Sequence, residues 1–426
     1  MADIEQLAQQ ADQFSQRGDL ESTARVCREI LALDAGHIPS LRFLADLSLQ
    51  SGNLEQAEQG MRKLLALKPQ EADLYSQLGQ ILYRQKKLPE AVEVYQQYWQ
   101  LKPRSVMIHL ALGNLYAELG DIDKAAQLFS LAEALDGKVL KLWRDPDANP
   151  GVQQMSKTAW ETLCKHHTAL HVDTVEALGD EQAIGRIRDA VWPLLDEREV
   201  RYAHDKQNAQ VFYIQYPQEP YFYERESFGW CEALEAQFED LRAEILQGLD
   251  VQADGAPYLG DGHKLEGEQW APLVNTLNWA SVHLYSRGVA NPKVAGKFPK
   301  TEAALKQLPL ATFRGNPMEV FISVLAPNTH IPEHYGVSSA ILTVHLPISV
   351  PEGCGLKVNT ETRVPEEGKI LAFDDTWEHS AWNNSDQQRV VLIFELWNPQ
   401  LSEIEKEAVL QTFYARDDWL QSRSVV

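Results

Sequence analysis

Along the first third of the chain, small and apolar residues return every 34 positions. Ala11, Ala45, Gly79 and Gly113 keep that spacing, and so do Gly18, Gly52, Lys86 and Gly120. Leu20, Leu54, Leu88 and Ile122 follow two residues after the second series; Thr23, Ala57, Ala91 and Ala125 hold the same phase, as do Ala35, Pro69, Pro103 and Gly137. Small residues at fixed places among large ones (Tyr75, Leu78, Leu82, Tyr95) predict paired helices in close approach, repeated four times over residues 1–137. Residues 138–204 keep a helical pattern, broken at 145–151 by a run rich in Asp, Pro and Gly. Apolar positions at three- and four-residue spacing over 155–177 and 181–195 predict two helices, a capping or linker region behind the repeats.

Near residue 205 the texture changes. Extended, aromatic-rich chain leads into an amphipathic helix over 230–249. Residues 279–285 alternate apolar and polar as a strand does, and 301–307 predict a short helix with Thr301 as its N-cap. From Phe321 to Pro399, short runs of Val, Ile, Leu, Phe and Thr are separated by Pro, Gly, Asn and Asp. That pattern predicts several antiparallel strands in a sandwich or barrel, and a C-terminal domain over 205–426.

The 34-residue period, with a small residue at its eighth position, resembles the tetratricopeptide repeat, a helix–turn–helix unit. The resemblance implies an all-α solenoid whose concave face takes a peptide or protein partner; the bland alternative is an array that dimerises or steadies its neighbour.

Composition narrows the function. A formal net charge of −22 over 426 residues excludes a phosphate-neutralising basic face, so nucleic acid is not expected as a partner. Cys27, Cys164, Cys231 and Cys354 are scattered without a CxxC pair, as in a protein of a reducing compartment. Neither a signal-peptide core at the first residues nor a run of 18 apolar residues is found, so a cytoplasmic location without a membrane span is expected.

The candidate chemistry lies in the strand-rich segment. His334 and His379 are imidazoles from two different strands, with Arg389 ten residues after the second. Two histidines suit non-haem iron, which must keep coordination positions open for a co-substrate and O₂. The common pattern for such iron sites is His-x-Asp/Glu and a distant second His; here the first half reads His334-Tyr335-Gly336, without the carboxylate.

The stretch from Ser323 to Gly336, joined to that from Glu367 to His379, resembles the aspartyl/asparaginyl β-hydroxylase family, and the likeness runs on through Arg389 and Trp397-Asn398-Pro399. That family replaces the acidic ligand by Gly, and its animal members carry a repeat region before the oxygenase domain. The resemblance implies a double-stranded β-helix (jelly-roll) oxygenase fold behind the tetratricopeptide array. It implies His334 and His379 as Fe(II) ligands, Arg389 as the clamp on the distal carboxylate of 2-oxoglutarate, Ser323 as its hydroxyl helper and His345 beside the proximal carboxylate. Thr343 stands where the animal enzyme has a second arginine. Other residues have blander readings. Arg389 has an ion pair with Glu395 as its alternative, and Ser323 a bond to backbone. His166, His167 and His171 read as surface or packing residues, His330 as support for a ligand, Asp374 and Asp375 as organisers of a turn or of an imidazole, and Glu378 as exposed.

Together these imply an Fe(II)- and 2-oxoglutarate-dependent dioxygenase that uses O₂ to hydroxylate the β-carbon of an Asp or Asn in a peptide or protein, recognised with help from the repeats. The alternatives are a hydroxylase of free or carrier-bound aspartate, or a repeat adaptor with an inactive oxygenase domain.

Overall fold

The computed structural model describes residues 4–260 and 267–423. The chain divides into two compact units, Met1–His166 with Asp418–Val426, and His167–Asp417. Each is described by itself.

In the first unit, the described residues up to Leu135 form four helix pairs: α1 (Ile4–Gln16) with α2 (Leu20–Leu33), α3 (Ile38–Gln50) with α4 (Leu54–Leu67), α5 (Ala72–Arg84) with α6 (Leu88–Leu101), and α7 (Val106–Leu119) with α8 (Ile122–Leu135). The opening residues of both helices recur every 34 positions, as the sequence period requires. Asp19, Asn53 and Asp121 cap the second helices by accepting the N–H of Ser22, Gln56 and Lys124. The third repeat has Lys87 there and substitutes Pro89 in the first turn. Between paired helices the backbone turns through positive φ, at Gly18, Gly52 and Gly120 and, in the third repeat, at Lys86.

The small residues of the period are places of contact. A Cβ added at Gly79 would lie 2.6 Å from the Tyr95 ring, and one at Gly113 would lie 2.4 Å from the Phe129 ring. Both glycines thus let the aromatic of the second helix lie flat on the first, burying Phe129 completely. Residues 137–144 form a 3-10 turn, followed by α9 (Pro150–Glu176) and α10 (Glu181–Arg188). The helix expected over 181–195 therefore ends seven residues early. Val191 instead exchanges backbone hydrogen bonds with Tyr213 (3.0 and 2.9 Å), and Pro193 has no N–H to continue a helix.

In the second unit the helix expected over 230–249 is interrupted at Ala236–Gln237, giving α11 (Cys231–Glu235) and α12 (Phe238–Gly248), with the short α13 (Val251–Asp254) after them. The next helix, α14 (Pro299–Leu305), starts before the expected cap. Thr301 lies inside it, donating from N (2.8 Å) and Oγ1 (2.7 Å) to Glu244. The terminal helix α15 (Glu403–Ser422) was not anticipated, although Ser402 and Glu405 form a readable capping box: the N–H of Ser402 donates to Oε2 of Glu405 at 2.8 Å.

The strands are β1 (Phe222–Tyr223), β2 (Ala256–Pro257), β3 (Trp279–Ser286), β4 (Val289–Ala290), β5 (Thr312–Phe313), β6 (Asn316–Pro317) and β7 (Glu319–Leu325). They continue with β8 (Thr329–His334), β9 (Ile341–Ser349), β10 (Cys354–Val358), β11 (Glu361–Arg363), β12 (Leu371–Phe373), β13 (His379–Asn383) and β14 (Arg389–Trp397). The large sheet has the order β1-β12-β9-β14-β7-β3-β2 and the small one β11-β10-β13-β8, with all pairs antiparallel. From β7 to β14 the chain passes back and forth between the sheets, except for the hairpin β10–β11 within the small sheet, the arrangement of a double-stranded β-helix.

The large sheet sorts its residues by parity. Val320, Ile322 and Val324, Leu342, Val344 and Leu346, and Leu392, Phe394 and Leu396 point outward, under Leu234, Leu241 and Ile245 of the helices. The opposite face meets the small sheet through Trp279, Leu325 and Phe373 against Ile331, Leu356 and Val358. The polar residues of β7, β9 and β14 stand on this inner face.

Gly113→Ala should destabilise the repeat unit by about 1–3 kcal/mol, because Phe129 has no space into which to move. A urea unfolding midpoint reads this, and Phe129→Leu added to Gly113→Ala should recover part of the loss.

Candidate active site

His334 closes β8 and His379 opens β13, and the two are register partners across the small sheet. Their ring centroids are 4.0 Å apart. The register shifts by one residue between this pair and the next, Ala381 with Ile331. The shift lets Ile331 and His334, of opposite parity, both face inward. It also leaves His330 exposed, its ring 6.3 Å from that of Trp382 on the outer face, so the expected support of a ligand by His330 is not what the fold builds.

Each imidazole is oriented by backbone. Nδ1 of His334 lies 2.8 Å from the carbonyl of Pro332, and Nδ1 of His379 lies 2.9 Å from that of Trp377. A carbonyl only accepts, so both Nδ1 atoms carry hydrogen and both Nε2 atoms carry the lone pair. Burial holds both rings below the usual histidine range, His379 well below it, where the neighbouring His334 adds to the effect. Two neutral imidazoles with fixed tautomers fit a divalent transition metal. Among the described residues no group of three or more His, Cys, Asp or Glu that could hold a metal ion is found. Trp270 and Trp279 stand edge-on to His334, at 6.1 and 5.8 Å.

Arg389 opens β14 on the inner face and is 3% exposed. Its Nε and Nη2 reach no hydrogen-bond partner, and the ion pair with Glu395 considered from the sequence is not formed. Burial lowers its pKa to about 10, which leaves it charged at neutral pH. A buried, unpaired guanidinium is costly unless an anion completes it. His345 is likewise buried with a free Nδ1, and burial together with the Arg389 charge keeps it neutral. Its ring packs edge-on at 5.1 Å against Phe373, which also lies 5.5 Å from His379. Ser323 sits in the same inner face on β7, its Oγ accepting from Nε1 of Trp279 at 3.3 Å. Trp279 therefore touches both a candidate ligand and a candidate anion-binding hydroxyl; the sequence placed it on a strand without assigning it that position.

Gly336 is explained by Asp375. A Cβ at 336 would lie 1.9 Å from Oδ1 of Asp375, and the Gly336 N–H donates to the Asp375 carbonyl at 2.6 Å. The space that a His-x-Asp/Glu side chain would need thus belongs to a carboxylate from the other half of the motif. Thr343 holds it, donating from Oγ1 to Oδ2 of Asp375 at 2.7 Å, and burial lifts the Asp375 carboxyl to about 6. Asp374 organises the turn, accepting from N (2.9 Å) and Oγ1 (2.6 Å) of Thr376. Glu378 is not exposed as expected: it is half-buried, accepting from Lys206 Nζ at 2.6 Å and Tyr335 Oη at 3.3 Å. His171 is a core residue, with Nε2 2.8 Å from the Ile187 carbonyl and Nδ1 accepting from Trp192 at 3.3 Å.

Residues 235–399 match the family profile described as Aspartyl/Asparaginyl beta-hydroxylase, and residues 15–81, 79–120 and 108–138 match three tetratricopeptide-repeat profiles. Among curated relatives, the aspartyl/asparaginyl beta-hydroxylase of Homo sapiens is 32% identical over 135 residues, covering 31% of this chain and 17% of that protein. Aspartate beta-hydroxylase domain-containing protein 2 of Homo sapiens is 31% identical over 209 residues, covering 48% of this chain and 54% of that protein. An ornithine lipid ester-linked acyl 2-hydroxylase of Rhizobium tropici is 28% identical over 183 residues, covering 42% of this chain and 61% of that protein. The chain thus spans from a sixth to under two thirds of these relatives.

Gly336→Asp should not create a third ligand but collide with Asp375. The expected outcome is a lower melting temperature and weaker metal binding, with the loss reduced when Asp375→Gly is added. A pH effect is expected at Asp374, whose pKa burial raises from 3.8 to about 8. Folding then takes up a proton between those values, so this residue costs stability progressively as pH rises from 3.8 towards 8. Chemical denaturation across that range should show a shallower decline for Asp374→Asn.

Proposed function

We propose that this chain, which carries an aspartyl/asparaginyl β-hydroxylase domain behind tetratricopeptide repeats, is an Fe(II)- and 2-oxoglutarate-dependent dioxygenase hydroxylating a side-chain carbon of a peptide or protein. The observation that carries the reading is a pair of neutral, backbone-oriented imidazoles on one sheet facing a buried guanidinium without a partner on the other. His334 and His379 would hold the iron, which, when bound, supplies the activation of O₂. The overall change is R–H + O₂ + 2-oxoglutarate → R–OH + succinate + CO₂: one oxygen atom enters the product hydroxyl and the other the new succinate carboxylate, as the C1–C2 bond of the co-substrate breaks.

The protein's own residues bind, orient and exclude water. Arg389 pairs in two-point fashion with the distal carboxylate of 2-oxoglutarate, with Ser323 donating its hydroxyl hydrogen beside it. His345 offers its imidazole to the proximal end. Trp270, Trp279 and Phe373 wall the pair and shield the reacting carbon from bulk water. The β-carbon of Asp or Asn is the target the family name indicates. The repeats bind the polypeptide that bears it, which is what such arrays commonly do. No helix among the described residues is long and apolar enough to cross a membrane. The four cysteines are all buried free thiols, in keeping with a reducing, cytoplasmic setting. The Rhizobium tropici relative favours acyl-chain hydroxylation as a second reading.

Anaerobic titration with Fe(II) and then 2-oxoglutarate tests the site without any substrate. A visible charge-transfer band is expected from the chelate in the wild type, absent in His334→Ala and shifted to at least tenfold higher 2-oxoglutarate concentration in Arg389→Ala, the change expected for losing a charge-assisted pair. A folded protein that gives no band overturns the oxygenase reading. Succinate release driven by peptides but not by acyl lipids separates the two substrate classes.

A further inference from the structure

We propose that Asn383 is a positioning residue for the co-substrate clamp: its carboxamide ties the turn before Arg389 to the end of β7, and so fixes where the Arg389 guanidinium meets the distal carboxylate of a 2-oxo diacid. This rests on the oxygenase reading for what Arg389 binds, and adds the residue on which selectivity for a dicarboxylate depends.

The Arg389 side chain is placed largely by its backbone. Its Nε and Nη2 have no hydrogen-bond partner, so bonds at those atoms do not fix the guanidinium. Arg389 is in register with Leu325 of β7, whereas pairing with β9 begins only at Val390 and slips between Val390 and Val391. One flank of Arg389 therefore rests on the end of β7, and the chain enters it from the turn over 384–388.

Asn383 joins these two supports. It ends β13, the strand that His379 opens, and strand parity turns it inward with His379 and Ala381. Its Nδ2 donates to the carbonyls of Leu325 (3.1 Å) and Ala326 (3.0 Å) at the end of β7, and to that of Gln387 (2.8 Å) in the turn. Its Oδ1 accepts from Ser385 N at 3.2 Å, from the Ser385 hydroxyl at 2.7 Å and from the Cys354 thiol at 3.4 Å. Carbonyls only accept, so the amide has one orientation; turned over, it would set oxygen against oxygen at three places. The residue is 0% exposed, and a buried carboxamide occupied at both ends leaves the turn little play.

Gln387, two residues before Arg389, is held at both of its backbone groups: its carbonyl by Asn383, and its N–H by Oγ of Ser385 at 3.1 Å. A residue that merely organised the hairpin would need only the bonds within the turn. Asn383 also holds the carbonyl of Leu325, which is the register partner of Arg389 itself. One further bond, from the Asn328 N–H to the Ser385 carbonyl at 3.1 Å, is between backbones and survives removal of the side chain. Without Asn383 the turn stays attached at Ser385 while its Gln387 end is released. Two-point pairing with a carboxylate depends on the alignment of the guanidinium, so the distal end of the co-substrate is where the loss is felt.

The test compares two 2-oxo acids on the full chain with Fe(II) under anaerobic conditions, read by the charge-transfer band. One is 2-oxoglutarate; the other is 2-oxopentanoate, of the same chain length without the distal carboxylate. The wild type should prefer 2-oxoglutarate about tenfold or more, the worth of a charge-assisted pair. In Asn383→Ala the preference should fall to about threefold or less, while affinity for 2-oxopentanoate, which needs only the histidines and the iron, stays within about twofold of wild type. Ser385→Ala, a milder cut in the same tie, should lose part of the preference, and it decides the matter if Asn383→Ala does not fold. A lower melting temperature with the preference intact makes Asn383 a fold residue only and overturns the proposal. Equal weakening of both ligands overturns it as well, since the iron site rather than the clamp would then have moved. A wild type that gives no band overturns the oxygenase reading and this one with it; a wild-type band with the preference unchanged in the variants overturns this one alone.

Discussion

His334 and His379 meet because β8 and β13 pair antiparallel in one register, and because that register slips by a single residue immediately beyond them. Without the slip, strand parity would send either Ile331 or His334 to the outer face, and a core residue or a candidate ligand would be lost. The same pairing brings the carbonyls of Pro332 and Trp377 under the two Nδ1 atoms, so chain direction, ring tautomer and lone-pair orientation are set by one piece of sheet. Much of the remaining architecture serves to hold that piece opposite a second sheet.

The second sheet contributes its polar face. Its outer residues are nearly all aliphatic and sit under helices; its inner residues include Ser323, Thr343, His345, Arg389 and Glu395. Burying an unpaired arginine and an unpaired histidine nitrogen is unfavourable, and the extensive apolar packing on the other side of the same strands is what offsets it. The apolar core and the candidate site are thus separated across the thickness of a sheet, with alternate residues of one strand assigned to each.

Asp375 shows how a motif can be read correctly and still hide its reason. The sequence shows a glycine where an acidic residue would complete a familiar triad. In three dimensions that glycine is obligatory, because Asp375 fills the space beyond it and Thr343 holds Asp375 there. The two halves of the motif, with Gly336 and Asp375 39 positions apart, are therefore a single steric unit. Thr343 and Glu395 are brought together in the same way: each is ordinary on its own strand, and they meet only as register partners of β9 and β14.

The repeat array and the histidine pair were legible because their signals are local or short in description: a fixed period of 34, small residues where helices touch, and two imidazoles framed by a recognisable motif. Helix limits were less so. Tertiary contacts ended α10 at Arg188 and drew Thr301 into the interior of α14 against Glu244. His330 read as support for a ligand because one residue of register shift cannot be seen in a linear pattern, and Glu378 read as exposed because Lys206 and Tyr335 reach it only in the fold. The sequence by itself determined which residues are candidates for the chemistry and which sheet-forming stretches they belong to, since residue type and periodicity are properties of the chain. Facing, pairing and vacancy (the tautomers of His334 and His379, the unpaired Arg389, the contact of Asp375 with Gly336, the company of Glu395) were decided only by tertiary structure, because each depends on strand register between segments far apart along the chain.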